Sequence, residues 1–408
     1  MGDQMVEQTD ELSPYWRRNL VISAFGAFTT IVGMTVLLPF LPLFVEEIGV
    51  SDPKAVSEWS GIAYAATFFS AALVAPLWGR LGDRYGRKLM LVRASFGMAI
   101  SIGLMGFVTS ISQLVLLRLL TGLAGGYASG AAILAATQTP KDKTGWALGV
   151  ISSGVMAGNF IGPLIGGILP DYIGIRTCFV AIGVLIFITF IITTFAISEN
   201  RKVFVDRRHN KARGALKQSL FNHGVRAMLL TGALLTFANL SIEPIITIYV
   251  NTLSRGGASV TFWAGLVMSM TALGSALSAS SVGRLADRVG HWKVLVSAMI
   301  LSVILVLPQA FVESAWMLVV LRFLLGLALG GLIPCVTAIL RHIVPDNAVG
   351  TVLGLSVSSQ YVGQVLGPVC GGFIGGWFGI RPVFFVTALV ILSAIVLNLK
   401  LYRKREET

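Results

Sequence analysis

Twelve runs of about 20 predominantly apolar residues, separated by short polar segments, restrict this chain more than any other feature. A run of that length crosses ~30 Å of hydrocarbon as a helix. Inside lipid every backbone N–H and C=O must be paired within the structure, so the runs read as helices and not as open strands. The expected spans are 20–45, 59–78, 89–109, 112–136, 146–169, 175–197, 227–250, 261–282, 294–312, 315–340, 349–375 and 380–400. Only 12% of the residues are charged, against about 25% in a soluble protein. Mean hydropathy is +0.81. The fold class is therefore an all-α membrane protein with twelve transmembrane helices.

The net charge of +12 does not carry a nucleic-acid signature. The basic residues are scattered over short segments, without a zinc-ligand pattern, an aromatic–basic platform or a long basic stripe. Most Lys and Arg lie before span 1, after span 12, and between spans 2 and 3, 4 and 5, 6 and 7, 8 and 9, and 10 and 11. The other face holds only Lys54, Arg176, Arg255 and Arg381. The positive-inside rule then puts both termini in the cytoplasm. This divides the chain into an N-terminal segment 1–19, a six-helix half 20–197, a cytoplasmic linker 198–226, a second half 227–400 and a tail 401–408. The linker, rich in Lys and Arg, reads as a solvated segment beside anionic headgroups. No cleavable signal is expected, because residues 1–19 are polar and the first apolar run is too long. Cys178, Cys335 and Cys370 lie in apolar runs without a C-x-x-C, as small packing residues and not metal ligands. No phosphate-cradling G-x-x-x-x-G-K-[ST] loop is present, which argues against an ATP-driven pump. No catalytic cluster argues for an enzyme, and no cofactor is expected.

The two halves are copies. G-R-L-G-D-R-Y-G-R-K from Gly79 to Lys88 is echoed by G-R-L-A-D-R-V-G-H-W-K from Gly283 to Lys293, and Gly79 and Gly283 are 204 residues apart. Arg118 and Arg322 repeat at the same interval. G-x-x-x-G-P-x-x-G-G spans Gly158–Gly167 and Gly363–Gly372, 205 apart, and G-I-R follows each. Pro39 matches Pro244, and Pro140 matches Pro345. Two six-helix halves related by pseudo-symmetry follow from these matches.

Several residues stand out physically. Glu243, beside Pro244, is the one Asp or Glu well inside any expected span. Burial disfavours the charged form of a carboxyl, so this group suits proton exchange, or attraction of a cationic ligand when ionised. The competing reading is an interfacial glutamate near the end of span 7. Arg118, about six residues into span 4, costs roughly 2.5–3.5 kcal/mol at a bilayer centre and less nearer the interface. Gly158, Gly162 and Gly166 form one smooth helix face, and Pro163 invites a bend. Together they suit a rocking interface, against the blander reading of tight packing alone. Candidates for an apolar, aromatic pocket are Phe28, Met34, Tyr127, Asn159, Asn239 and Tyr361.

On these motifs the chain resembles a major facilitator superfamily transporter along essentially its whole length. Gly79–Lys88 resembles the signature loop between helices 2 and 3, Arg118 with Gly122 the helix 4 motif, and Gly158, Gly162, Pro163, Gly166 and Gly167 the antiporter motif. The resemblance is to the twelve-helix drug:proton antiporter branch, and within it to bacterial multidrug-resistance exporters. It implies that Gly79, Asp83, Arg84, Gly86 and Arg87 form a gating loop that contacts helix 11. Asp287 and Arg288 would form its weaker echo, with His291 and Trp292 in place of the arginine–lysine pair. It further implies that Arg118 and Glu243 couple proton to drug, with Glu46 and Glu47 as alternative acids at the outer mouth. The implied function is exchange of lipophilic or cationic drugs for protons, by a monomer in the bacterial inner membrane. The alternative is a dedicated proton-coupled exporter of a sugar or other metabolite, which would want more hydrogen-bonding groups in the cavity.

Overall fold

A computed structural model describes residues 15–199, 222–254, 259–345 and 348–406. Most of the expected linker, N-terminal segment and the end of the tail lie outside them. Eleven helical segments are long and apolar enough to cross a membrane. They are α1 (Trp16–Glu47), α2 (Pro53–Tyr85), α3 (Arg87–Met105), α4 (Ile111–Gln138), α5 (Lys141–Ile173), α6 (Ile175–Ala196), α7 (His223–Leu253), α8 (Val260–Val289), α9 (His291–Phe311), α10 (Ala315–Ile343) and α12 (Ile380–Lys400). The remaining long helix, α11 (Val349–Phe378), has 30 residues, enough to span. Glycines, serines, Gln360 and Gln364 dilute its hydropathy. Twelve described helices thus form two six-helix bundles, α1–α6 and α7–α12.

Four spans are broken, each for a local reason. In α1 the chain passes through a short 3₁₀ turn, Leu38–Phe40, where Pro39 and Pro42 lack amide donors. In α7 the break falls at Ile242, because Pro244 cannot bond back to Leu240. In α10 it falls at Gly330 and Gly331, ahead of Pro334. In α4, Gly126 takes φ +102°, and the carbonyls freed by the break find partners: Arg93 donates to the Leu123 and Gly125 oxygens at 3.0 and 2.8 Å, and Trp78 to Leu123 at 2.9 Å.

The signature stretch is helix, not loop. Nothing in G-R-L-G-D-R-Y breaks α2 before Gly86, so Asp83 and Arg84 ride its last turn. One residue, Gly86 at φ +99°, turns the chain into α3. Gly290 does the same between α8 and α9, at φ +106°. These turns mark what is called here the basic end of the molecule.

Many large apolar side chains point outward, among them Phe195, Leu389, Val184 and Ile304, as a lipid-facing surface requires. The packed interior runs through both bundles. The halves meet chiefly along two helix pairs, α2 with α11 and α5 with α8, with smaller contacts of α7 and α8 on the α1 break.

Candidate functional site

At the end opposite the basic turns, the halves are in contact. Ser57 donates to the Gly372 carbonyl at 2.8 Å, and Thr261 to Asp171 at 2.9 Å. Thr247 of α7 donates to the Pro39 carbonyl in the α1 break at 2.9 Å. Trp377 donates to Glu58 at 2.6 Å, with the Lys54 ammonium 3.0 Å above its indole. Close approach depends on glycine. A Cβ on Gly61 would lie 3.2 Å from the Gly372 Cα, and one on Gly265 would lie 2.8 Å from the Gly167 Cα. At the basic end, a Cβ on Gly79, Gly149, Gly283 or Gly354 would meet no described atom within 4 Å. The same four helices that touch at one end therefore stand apart at the other.

This geometry corrects one expectation about the glycine run of α5. Gly158, Gly162 and Gly166 pack on α1, against Ile31, Thr35 and Val36, inside their own half. Only Gly167, with the Pro163 carbonyl, faces the other half. Successive residues step about 100° around a helix, so Gly167 points away from the face its three neighbours share.

Glu243 is the first residue of the α7 segment beyond the break, and it is 8% exposed. The interfacial reading of this residue does not hold. Its Oε1 lies 3.7 Å from Nη1 of Arg322, which is 0% exposed in the second turn of α10. Among the described residues, neither Glu243 Oε2 nor any of the three guanidinium nitrogens has a hydrogen-bond partner. Beside the pair, α7, α9, α10 and α12 enclose a cavity with about 10 Å³ of water-accessible space, bordered by Asn239, Arg322 and Thr387. The rest of its lining is aliphatic, from Leu235, Ala238, Ile242, Val306, Leu325, Leu329 and Ile391.

The pseudo-symmetric Arg118 is also buried, but it bonds backbone: its Nε donates to the Ala63 carbonyl at 3.1 Å. Tyr64, the next residue of α2, is buried. Tyr64 carried no sequence signal beyond being aromatic. Glu47 pairs with Arg176 at 2.8 Å, and so sits in a surface ion pair.

At the basic end, Asp83 pairs with Arg87, one turn on, instead of meeting α11. The amides of Arg87 and Lys88 donate at 2.8 Å each to the two carboxylate oxygens of Glu199, just past α6. In the second copy, His291 takes the place of Arg87, with Nε2 3.3 Å from Asp287, and its ring lies 5.8 Å from that of His342. Arg84 and Arg288 are exposed.

The pocket candidates separate. Phe28, Met34, Asn239 and Tyr361 are half-buried, and Asn159 is exposed. Tyr127 is a correction: it is 1% exposed, its ring covers Gly26, and its hydroxyl pairs with Thr193 at 2.9 Å. The α4 break turns it into the first bundle, away from any shared cavity.

Two pseudo-symmetric six-helix bundles, joined at one end and parted at the other around buried charges, define a polytopic membrane transporter and not an enzyme. The Major Facilitator Superfamily profile matches residues 23–264 and 256–408, and the chain belongs to that superfamily. It is 38% identical over 392 residues to the multidrug resistance protein MdtG of Escherichia fergusonii, with 96% of each chain covered. It is 39% identical over 389 residues to that of Enterobacter lignolyticus, covering 95% of this chain and 93% of the relative. In fold it is similar to a bacterial homologue of the human lysosomal transporter Spinster, in an inward-facing and unoccupied conformation. The TM-score is 0.77 at 14% identity, over 95% of this chain and 96% of that one. The nucleoside transporter NupG gives a TM-score of 0.73 at 12% identity, over 93% and 99%.

Proposed function

We propose that this chain is a secondary active multidrug exporter. It exchanges lipophilic or cationic drugs for protons across the inner membrane by alternating access, as a monomer with both termini in the cytoplasm. The relatives at 38–39% identity over nearly the full length are named multidrug resistance proteins. The observation that carries the coupling is the buried Glu243–Arg322 pair at the α7 break. Ionised, Glu243 balances Arg322 and offers a carboxylate to a cationic drug. Protonated, it is neutral and withdraws that charge, so proton and drug compete for one group. Exchange of one proton for one monocation is electroneutral. Any excess proton adds about 2.3 kcal/mol per 100 mV of membrane potential.

Arg118, the matching buried cation of the first half, is assigned the accompanying role in coupling. Phe28, Met34, Asn159, Asn239 and Tyr361 supply apolar, aromatic and amide surface for drugs of varied shape. On this reading the basic end faces the cytoplasm and is open. When it closes, Asp83 exchanges Arg87 for α11, with Arg84 and the Asp287–Arg288 copy as the accompanying charges.

The test is uptake of a lipophilic cationic dye into proteoliposomes under an imposed pH gradient. Wild type moves the dye against its gradient, and Glu243→Gln, neutral like the protonated carboxyl, binds it more weakly and does not transport it uphill. A wild-type protein that ignores the dye but moves a sugar overturns the reading.

A further inference from the structure

The arginines of the two G-I-R copies have different surroundings. Arg176 donates to Glu47 at 2.8 Å and to the Gly106 and Val108 carbonyls at 3.3 and 2.8 Å. Its copy Arg381, 205 residues on, is the second residue of α12. It is exposed, and it has no hydrogen bond or ion pair with any described residue. The sequence gives a reason. At the same interval Glu47 is replaced by Thr252, whose hydroxyl donates to the Tyr249 carbonyl at 2.6 Å. An unpaired guanidinium therefore stands at the end where the halves touch, four residues from Trp377.

Next to it, an apolar groove of about 840 Å³ runs between α9 and α10. Ile304, Leu307 and Phe311 form one wall, and Trp316, Met317 and Val320 the other. Ile304 is 59% exposed and Phe311 61%, so the groove opens outward, toward lipid. The Phe311 ring lies 5.8 Å from that of Phe385 in α12. Arg381 precedes Phe385 by four residues and so shares its face, one turn nearer the helix end. Glu313 follows the wall residue Val312, is exposed, and also has no ion pair with a described residue. From Phe311 down to Ile304 the groove descends about 10–13 Å, less than half of the ~30 Å hydrocarbon core. An apolar groove shallower than one leaflet, with a cation and an anion at its rim, matches the shape and charge of a phospholipid. We infer that it binds one phospholipid of that leaflet, with the phosphate on Arg381 and an acyl chain between α9 and α10. Guanidinium pairs with phosphate through two parallel hydrogen bonds. Glu313 sets the headgroup, because its carboxylate accepts from a primary ammonium and repels an added negative charge. An ethanolamine phospholipid is therefore preferred over phosphatidylglycerol. The first half offers no equivalent guanidinium, since Arg176 is held by Glu47. The inference needs only that the chain spans a bilayer, and it does not rest on the exporter reading.

The experiment is native mass spectrometry of the full chain, delipidated in detergent and titrated with phosphatidylethanolamine or phosphatidylglycerol of identical acyl chains. Wild type is expected to hold one phosphatidylethanolamine about fivefold more tightly than phosphatidylglycerol. Arg381→Ala should weaken that adduct about fivefold, and Arg381→Lys, which keeps the charge, should weaken it less. Glu313→Gln should bring the two lipids within about twofold of each other. Val320→Trp, which fills the groove from its exposed wall, should weaken both, and Arg284→Ala, exposed at the basic end, should change neither. Arg381 and Glu313 are exposed and unpaired, so their variants keep the fold, and an unchanged thermal unfolding midpoint verifies this before titration. Wild-type affinity in Arg381→Ala overturns the inference, as does phosphatidylglycerol binding as tightly as phosphatidylethanolamine. A dimer that Val320→Trp dissociates also overturns it, by giving the groove to a second copy of the chain.

Discussion

Nη1 of Arg322 lies 3.7 Å from Oε1 of Glu243, too far for a hydrogen bond, and no nitrogen of that guanidinium has another partner among the described residues. Removing one member of a buried pair strands the other charge, at about 3–5 kcal/mol, whereas replacing both with uncharged groups is often neutral. Arg322→Met should therefore lower the thermal unfolding midpoint in detergent markedly, and Glu243→Gln/Arg322→Met should recover most of the loss. A double variant as unstable as the sum of the singles would show that the two groups do not compensate each other.

Tyr127 looks like a pocket residue from its place in α4, yet its hydroxyl is spent on Thr193 and its ring on Gly26. Tyr127→Phe removes one buried hydrogen bond, worth about 0.5–1.5 kcal/mol. Gly26→Ala places a methyl group in the ring, an overpacking cost of roughly 1–3 kcal/mol. Both should lower stability while leaving equilibrium dye binding within twofold of wild type, as read by fluorescence titration. A tenfold change in dye affinity for Tyr127→Phe would return the residue to the pocket.

Much of the fold was legible because duplication left matched residues at a nearly constant offset. Arg118 and Arg322, the two glycine–proline runs and the two basic stretches all repeat at 204 or 205 residues. Glu243 was legible for the opposite reason, being the one embedded acid without a counterpart. Its partner was not, because Arg322 reaches it only through the bend that Pro244 forces on α7. Helical periodicity says which residues share a face but not what that face meets. Gly158, Gly162 and Gly166 were thus assigned to a rocking surface that belongs to Gly167. Glu199 and Arg93 were invisible: one follows a span in what reads as linker, and the other answers carbonyls freed by an unforeseen break at Gly125 and Gly126. That glycine pair, next to Tyr127, was the available signal.

Glu199 ties the end of α6 to the first turn of α3, accepting from the Arg87 and Lys88 amides at 2.8 Å each. These are orphan donors of a helix N-terminus, and losing such a cap costs about 0.5–2 kcal/mol. Glu199→Ala should speed hydrogen exchange at these two amides by roughly 2–30-fold, the factor that 0.5–2 kcal/mol corresponds to. Glu199→Gln, which keeps an acceptor, should do so less. Unchanged exchange in Glu199→Ala would mean that the contact does not hold the turn.

Trp377 of α11 bridges the halves where they touch, donating to Glu58 of α2 and carrying Lys54 on its ring. The indole is 63% exposed, so solvent weakens both interactions, and a cation–π contact at such a site is worth about 0.5–1 kcal/mol. Neither interaction can persist once α2 and α11 part at this end. Trp377→Ala therefore removes stabilisation from this state alone and shifts the balance toward the one closed at the basic end. A bias of about 1 kcal/mol corresponds to a shift of about fivefold. A Gly149→Cys/Gly283→Cys pair, at two glycines that stand open at the basic end, reports it by disulfide cross-linking in membrane vesicles: adding Trp377→Ala should raise the cross-linking rate about fivefold, while Trp377→Phe, which keeps the ring but not the donor, should give a smaller rise. No change, or a fall, with Trp377→Ala would place the indole outside the contact that opens.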